Sequence, residues 1–169
     1  ITIEYTPNTA GATNNATLTI NSDADNNGSL DVSITGEGKA VPAIDLNPDG
    51  SQDLGTISTG DTTSQTFTIN ETSGDQQLTT SVSFSGSPTD FSISGAPSSV
   101  PAGGQETFDV VYNPSTSGTD SATVEVQHDG QNTSSPVTRD VTAEATQAST
   151  ISTSPSDGGT ANFGSIIED

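Results

Sequence analysis

Short runs of alternating apolar and polar residues recur along this chain, and nowhere does the apolar spacing follow a helical period. Successive side chains on a strand point to opposite faces, so each such run predicts a half-buried strand. Ile1, Ile3 and Tyr5 make the first, closed by Thr6-Pro7 because proline cannot donate to a ladder. Ala16, Leu18 and Ile20 make the second, and Leu30, Val32 and Ile34 return as its hairpin partner across an Asp/Asn/Gly-rich turn. Further runs at 44–46, 53–57, 65–70, 78–84, 90–93, 106–112, 122–127 and 137–143 are separated by Gly/Pro/Asn breakers. Seven or eight of these short strands fall within residues 43–146, which predicts an all-β, antiparallel sandwich.

The chain also repeats itself. Tyr5, Pro7 and Gly11 match Tyr112, Pro114 and Gly118 at an offset of 107, and Ala16, Leu18 and Ile20 match Ala122, Val124 and Val126 at an offset of 106. Near the other end Ile151 repeats Ile44, Pro155 repeats Pro48, and Phe163-Gly164-Ser165-Ile166 repeats Leu54-Gly55-Thr56-Ile57. Residues 1–42 therefore read as the closing part of one unit, 43–146 as a complete unit, and 147–169 as the opening part of a third. A period near 107 exceeds that of solenoids, so each unit is expected to carry its own core, with linkers at 39–42 and 147–150.

Composition changes this picture in two ways. Only 27% of residues are hydrophobic, which a thin two-sheet core tolerates when they alternate. The net charge of −20 sets 15 Asp and 7 Glu against Lys39 and Arg139 alone. A phosphate backbone is bound by releasing counterions with Lys and Arg, so nucleic acid is excluded as a partner. An acidic surface almost without lysine suits concentrated salt, where screening acts over ~3 Å at 1 M and removes self-repulsion. That points to a halophilic source, with a marine bacterial adhesin as the competing reading. There is no cysteine, and no apolar run approaches the ~18 residues of a membrane span. The start at Ile1 shows no signal peptide, so the chain reads as an internal piece of a longer exported protein.

Phe108-x-Val110-x-Tyr112-x-Pro114-x-x-x-Gly118, followed by Ala122-x-Val124, and Asp53-Leu54-Gly55-Thr56-Ile57 ahead of Phe67 and Ile69, resemble a known family. The pattern is similar to the choice-of-anchor D and hydin-type immunoglobulin-like domains. The resemblance implies an immunoglobulin-like sandwich of seven or eight strands, in tandem on prokaryotic surface or secreted proteins, with structural or adhesive roles. The chain departs from its own pattern in the second hairpin, where residues 128–135 replace the acidic turn of the first.

Candidate chemistry is sparse. Asp23, Asp25, Asn27 and Asp31 have the spacing of the first half of a calcium loop, in which alternate oxygens converge on one cation. Ile34 stands where the twelfth-position Glu belongs, so an acidic hairpin turn without metal is the competing reading. Asn15, Asn27, Asn70 and Asn132 head glycosylation sequons, in a number that chance nearly explains for 11 Asn among so many Ser and Thr. His128 is the only histidine, beside Asp129, and reads as a solvated turn residue rather than a triad member. Lys39 sits in a linker, which disfavours an isopeptide crosslink inside a sandwich. These observations describe a non-enzymatic repeat of an extracellular stalk, adhesin or filament, with neighbouring repeats or copies of itself as partners. The alternative is a carbohydrate- or protein-binding module on a larger secreted enzyme or viral fibre.

Overall fold

The computed structural model of the chain describes residues 1–148 apart from Ala24 and Asn27. β1 (Thr13–Asn21) and β2 (Ser29–Glu37) form a two-stranded hairpin. The following strands are β3 (Ile44–Asn47), β4 (Gln52–Ser58), β5 (Thr63–Glu71), β6 (Leu78–Ser85) and β7 (Phe91–Ser94). β8 (Ser99–Val100), β9 (Gln105–Tyr112), β10 (Gly118–His128) and β11 (Val137–Thr146) complete the chain. One sheet runs β4-β11-β10-β6-β8 and the other β3-β5-β9-β7, two layers of one sandwich.

The alternating pattern places the core. Among the described residues the 16 buried hydrophobic ones run from Ile44 to Ala145, so the core lies within that stretch. Phe67 and Phe108, directly opposite on β5 and β9, stack with ring centroids 5.4 Å apart. Phe91 packs on Tyr112 at 4.8 Å, which closes the same layer toward β7. Val124, Val126 and Val141 face them from the other sheet, fully buried.

Three expectations change. The complete unit has nine strands, because the residues between two Gly/Pro clusters still make a two-residue β8 against the start of β6. The sandwich is not wholly antiparallel: β4 runs parallel to β11. Its path follows from the turn at Asn47-Pro48-Asp49-Gly50, which lets the chain leave β3 in one sheet and join the other as β4. A register shift between Thr142 and Glu144 sits opposite Gly55, whose φ of 80° only glycine adopts freely, and Gly55 N donates to Asp53 Oδ1 at 2.9 Å. Finally, residues 1–5 form no strand. Their counterpart β9 lies between β5 and β7, and the described part of the first unit offers no such neighbours.

The first hairpin nevertheless repeats the second rung for rung. Ala16↔Ile34, Leu18↔Val32 and Ile20↔Leu30 correspond to Ala122↔Val141, Val124↔Arg139 and Val126↔Val137. Tyr5 also keeps its place: Asn14 donates to Tyr5 Oη at 2.9 Å, as Tyr112 donates to Asp120, the residue equivalent to Asn14. The Tyr5 ring lies over Gly36, where a Cβ would stand 2.7 Å from the ring, so only glycine fits.

The one polar replacement among these six positions is Arg139 for Val32. Arg139 sits at core parity between Val137 and Val141 but reaches across to the crossover turn. It donates through Nε to Pro48 O at 3.0 Å and through Nη2 to Leu46 O and Asp49 Oδ1, both at 2.6 Å. The guanidinium fork thus ties β11 to the point where the chain changes sheets. Arg139→Ala is expected to destabilise the unit by about 2 kcal/mol, since two carbonyls lose a charged donor. Urea unfolding followed by circular dichroism checks this.

Candidate functional site

The two ends of the complete unit are distinct. At the pole where the chain enters, the loops after β5, before β9 and between β10 and β11 meet residues 40–44. At the opposite pole, where β11 ends, Thr59 N donates to Thr146 O at 2.8 Å, Gly60 N to Pro114 O at 2.9 Å and Asn113 N to Asp90 O at 2.9 Å. Entry and exit lie at opposite ends because β11 runs the full length between them.

The entry pole is built around Glu71, the last residue of β5. Phe67, Ile69 and Glu71 share the inward parity of that strand, so the carboxylate is carried into the interior and is only 3% exposed. No cation neutralises it. Instead Ala43 N (3.1 Å) and Ser73 N (2.8 Å) donate to Oε1, as does Ser73 Oγ, while Gly74 N (2.9 Å) and Gly103 N (2.7 Å) donate to Oε2. Burial, the largest single effect, raises the carboxyl pKa. The bonds from Gly103, Ser73 and Ala43 together outweigh it and hold Glu71 at about 2, against an ordinary 4.5. One carboxylate therefore joins the linker, the loop after β5 and the loop before β9.

Other side chains grip the linker on either side of Ala43. Ala40 N donates to Asp75 Oδ2 at 2.8 Å and its carbonyl accepts from Gln76 Nε2 at 2.7 Å. Gln131 N reaches Pro42 O at 2.8 Å, and Thr72 N reaches Ala43 O at 2.9 Å. Asn132 pairs with Ile44 in both directions, accepting its N–H and donating to its carbonyl at 2.8 Å each, as a neighbouring strand would. The linker predicted at 39–42 is bonded to the following residues at Ala40 and Pro42, and Ala43 and Ile44 are held beside it.

These positions bear on the sequence candidates. Asn132 spends its amide on Ile44, so a glycan on that nitrogen would compete with the Ile44 carbonyl for it. Asn70 is half-buried, with Nδ2 3.4 Å from Asp45 Oδ2. Asn15 is exposed on β1 and accepts from Thr35 Oγ1 at 3.0 Å, while Asn27 lies outside the described residues. Of the calcium candidates, Asp23 and Asp25 are in the turn and Asp31 is on β2, where Thr19 Oγ1 donates to it at 2.6 Å. Among the described residues no group of three or more Asp, Glu, His or Cys side chains gathers closely enough to hold a metal ion.

His128 is not a solvated turn residue. It ends β10, half-buried, and neither ring nitrogen meets a hydrogen-bonding partner among the described residues. A shallow pocket of about 320 Å³ beside it is lined by Thr79, Thr80, Ser81, Gln127 and Asp129. Tyr112, wholly buried, donates to Asp120 at 2.5 Å. Burial first, then that bond and the charges of Asp120 and Asp90, push its phenol well above the ordinary value, so it serves as a neutral donor.

An arrangement of two sheets with a split first strand invites comparison with known folds. The ASH family model (abnormal spindle-like microcephaly-associated, ASPM-SPD-2-Hydin) matches residues 46–135, from β3 to the turn after β10. The chain belongs to the ASH family. The ASH/PapD-like domain 7 of human CEP192 superposes with a TM-score of 0.55 at 9% identity, over 64% of this chain and 89% of that one. A protein of unknown function from Porphyromonas gingivalis superposes with a TM-score of 0.50 at 14% identity, over 82% of this chain and 68% of that one. At such identities the likeness is one of fold. No curated protein matches the chain by sequence. No helix among the described residues is long and apolar enough to cross a membrane. The ASH unit is thus an immunoglobulin-like module whose most elaborate polar site holds its own linker.

Glu71, with its depressed pKa, stabilises the fold above about pH 4.5 and loses that contribution as pH falls toward about 2. Glu71→Gln is expected to cost on the order of 3 kcal/mol at pH 7, and the gap from wild type should narrow through that acid window. Urea titrations at stepped pH test both the size and the sign. His128→Leu should raise stability by about 1 kcal/mol, since it removes two buried polar atoms that lack partners; a fall in melting temperature would contradict this.

Proposed function

We propose that this chain is a non-enzymatic stretch of tandem ASH units of choice-of-anchor D type, serving as a spacer in an extracellular stalk, adhesin or filament that works in concentrated salt. The observation that carries the reading is the combination of opposite poles with a bonded linker. A unit entered at one end and left at the other adds length to a fibre. A linker held at Ala40 by Asp75 and Gln76 and at Pro42 by Gln131 fixes the direction in which the unit follows its predecessor. In this reading residues 1–42, 43–146 and 147–169 are a closing part, a whole unit and an opening part. The exposed Ile20, Leu30 and Val32 of the first hairpin await the rest of their own sandwich, since Val126 and Val137, the counterparts of Ile20 and Leu30, are packed into the core of the second.

The outer faces support a salt-adapted setting. Thr66 donates to Asp109, Thr123 to Asp140 and Thr19 to Asp31, at 2.6, 2.7 and 2.6 Å, each pair directly opposite across two strands. Hydroxyls take the place that lysines fill on most sheets, and the charge stays on the surface uncompensated.

The melting temperature should rise steadily from dilute buffer to molar NaCl as counterions screen the net charge of −20. A flat dependence would count against the salt-adapted setting. The structural role itself is tested by electron microscopy of the full gene product, which should show rods lengthening with the number of repeats. One or two repeats beside a catalytic domain would replace the spacer with an accessory module.

A further inference from the structure

We infer that the complete unit is a mechanical clamp, built to resist tension applied along the chain through its two ends. The inference rests on the tandem reading for where force would be applied, and on the sheet topology for the response. Tension reaches the unit at Ala43, at the entry pole, and leaves it beyond Thr146, at the exit pole. The first strand path, β3 then β4, is pulled toward the entry pole, while β11 is pulled toward the exit pole.

β4 and β11 are hydrogen-bonded neighbours and run parallel, with Val141↔Gln52, Thr142↔Asp53, Glu144↔Thr56, Ala145↔Ile57 and Thr146↔Ser58 in register. Pulling parallel neighbours from opposite ends slides one along the other, so all rungs bear the load together. In an antiparallel pair pulled at the same end, the rungs break one at a time. β3 on β5 is loaded in the same sliding sense, with Ile44↔Glu71 through Asn47↔Thr68 in register.

Side chains reinforce this path. Thr56 Oγ1 donates to Glu144 Oε2 at 3.3 Å and Thr146 Oγ1 to Ile57 O at 3.3 Å, both between the clamped strands. Thr59 N to Thr146 O extends the ladder one step past β4. Arg139 of β11 holds the crossover turn at Leu46, Pro48 and Asp49, so β3 and β4 cannot straighten until that fork lets go. At the point where force enters, Glu71 binds Ala43 to two loops.

The test is single-molecule force spectroscopy on this 169-residue chain, which has no native cysteine and so accepts handles at chosen sites. Handles at the two chain ends load the β4–β11 ladder in the sliding direction. Handles at Asp61→Cys and Ala148→Cys, both at the exit pole, peel β4 from β11 rung by rung. The clamp predicts that peeling needs a several-fold lower force than end-to-end pulling at the same loading rate. Both proteins are first checked for wild-type melting temperature, with Thr62→Cys replacing Asp61→Cys if the first fails to fold. Equal forces in the two geometries, or end-to-end unfolding at the peeling force, would overturn the clamp. Either result leaves the tandem reading standing, because that is decided by the repeat count and rod length of the full gene product.

Discussion

The structure depends on a buried carboxylate that has no counter-ion. Removing a charge from water costs several kcal/mol, and a side chain in that position normally protonates or recruits a cation. Glu71 does neither, because four backbone N–H groups and one hydroxyl converge on its two oxygens. Those donors come from three separate segments, the linker at Ala43, the loop at Ser73 and Gly74, and the loop at Gly103. The backbone groups would otherwise be orphans of loops at the end of a sandwich, so the carboxylate solves their accounting as they solve its own. An anion satisfied by backbone donors needs no lysine, which matters in a chain that has one.

Scarcity of cations shapes the rest of the molecule. The single arginine is spent on the crossover turn, on the carbonyls of Leu46 and Pro48 and the carboxylate of Asp49. On the sheet faces the acidic residues find threonine hydroxyls directly across the ladder. A hydroxyl–carboxylate rung fixes a cross-strand pair without cancelling its charge, so the faces stay strongly hydrated and self-repelling. Three of the four edges of the sandwich are short as well: β3 and β7 have four residues each and β8 two, while β4 has seven. Short edges offer few rungs for sideways pairing.

Much of this was legible in the residues. Parity alone located the core, because Phe67 and Ile69, Phe108 and Val110, and Val124 and Val126 alternate with polar neighbours and are all buried. The sequence repeat aligned the second hairpin with the first, and the Tyr112–Asp120 and Tyr5–Asn14 hydrogen bonds fall at aligned positions. The parallel β4 was not legible, since strand direction in a sheet is set by tertiary pairing and leaves no trace in local alternation. β8 was lost because two residues between breakers carry no period. The linker site was overlooked although a signal existed. Glu71 continues the inward positions of Phe67 and Ile69, and Arg139 those of Val137 and Val141, so each is a charge at core parity that requires buried partners.

The two hairpins separate what the local sequence determines from what the rest of a unit supplies. Both have the same register and the same apolar face, yet Ile20 is 39% exposed while its counterpart Val126 is fully buried. Strand pairing and turn are therefore local properties, whereas burial requires β6 on one side, β4 on the other and a facing sheet. The parallel contact of β4 with β11 joins the first strand path of the unit to the last, which closes the sandwich between its entry and exit. It is also the strand pairing that spans the greatest sequence distance, and by loop-closure entropy the costliest to form. The same pairing that makes the unit slow to assemble places its two terminal strands side by side, which is the geometry that makes it hard to pull apart.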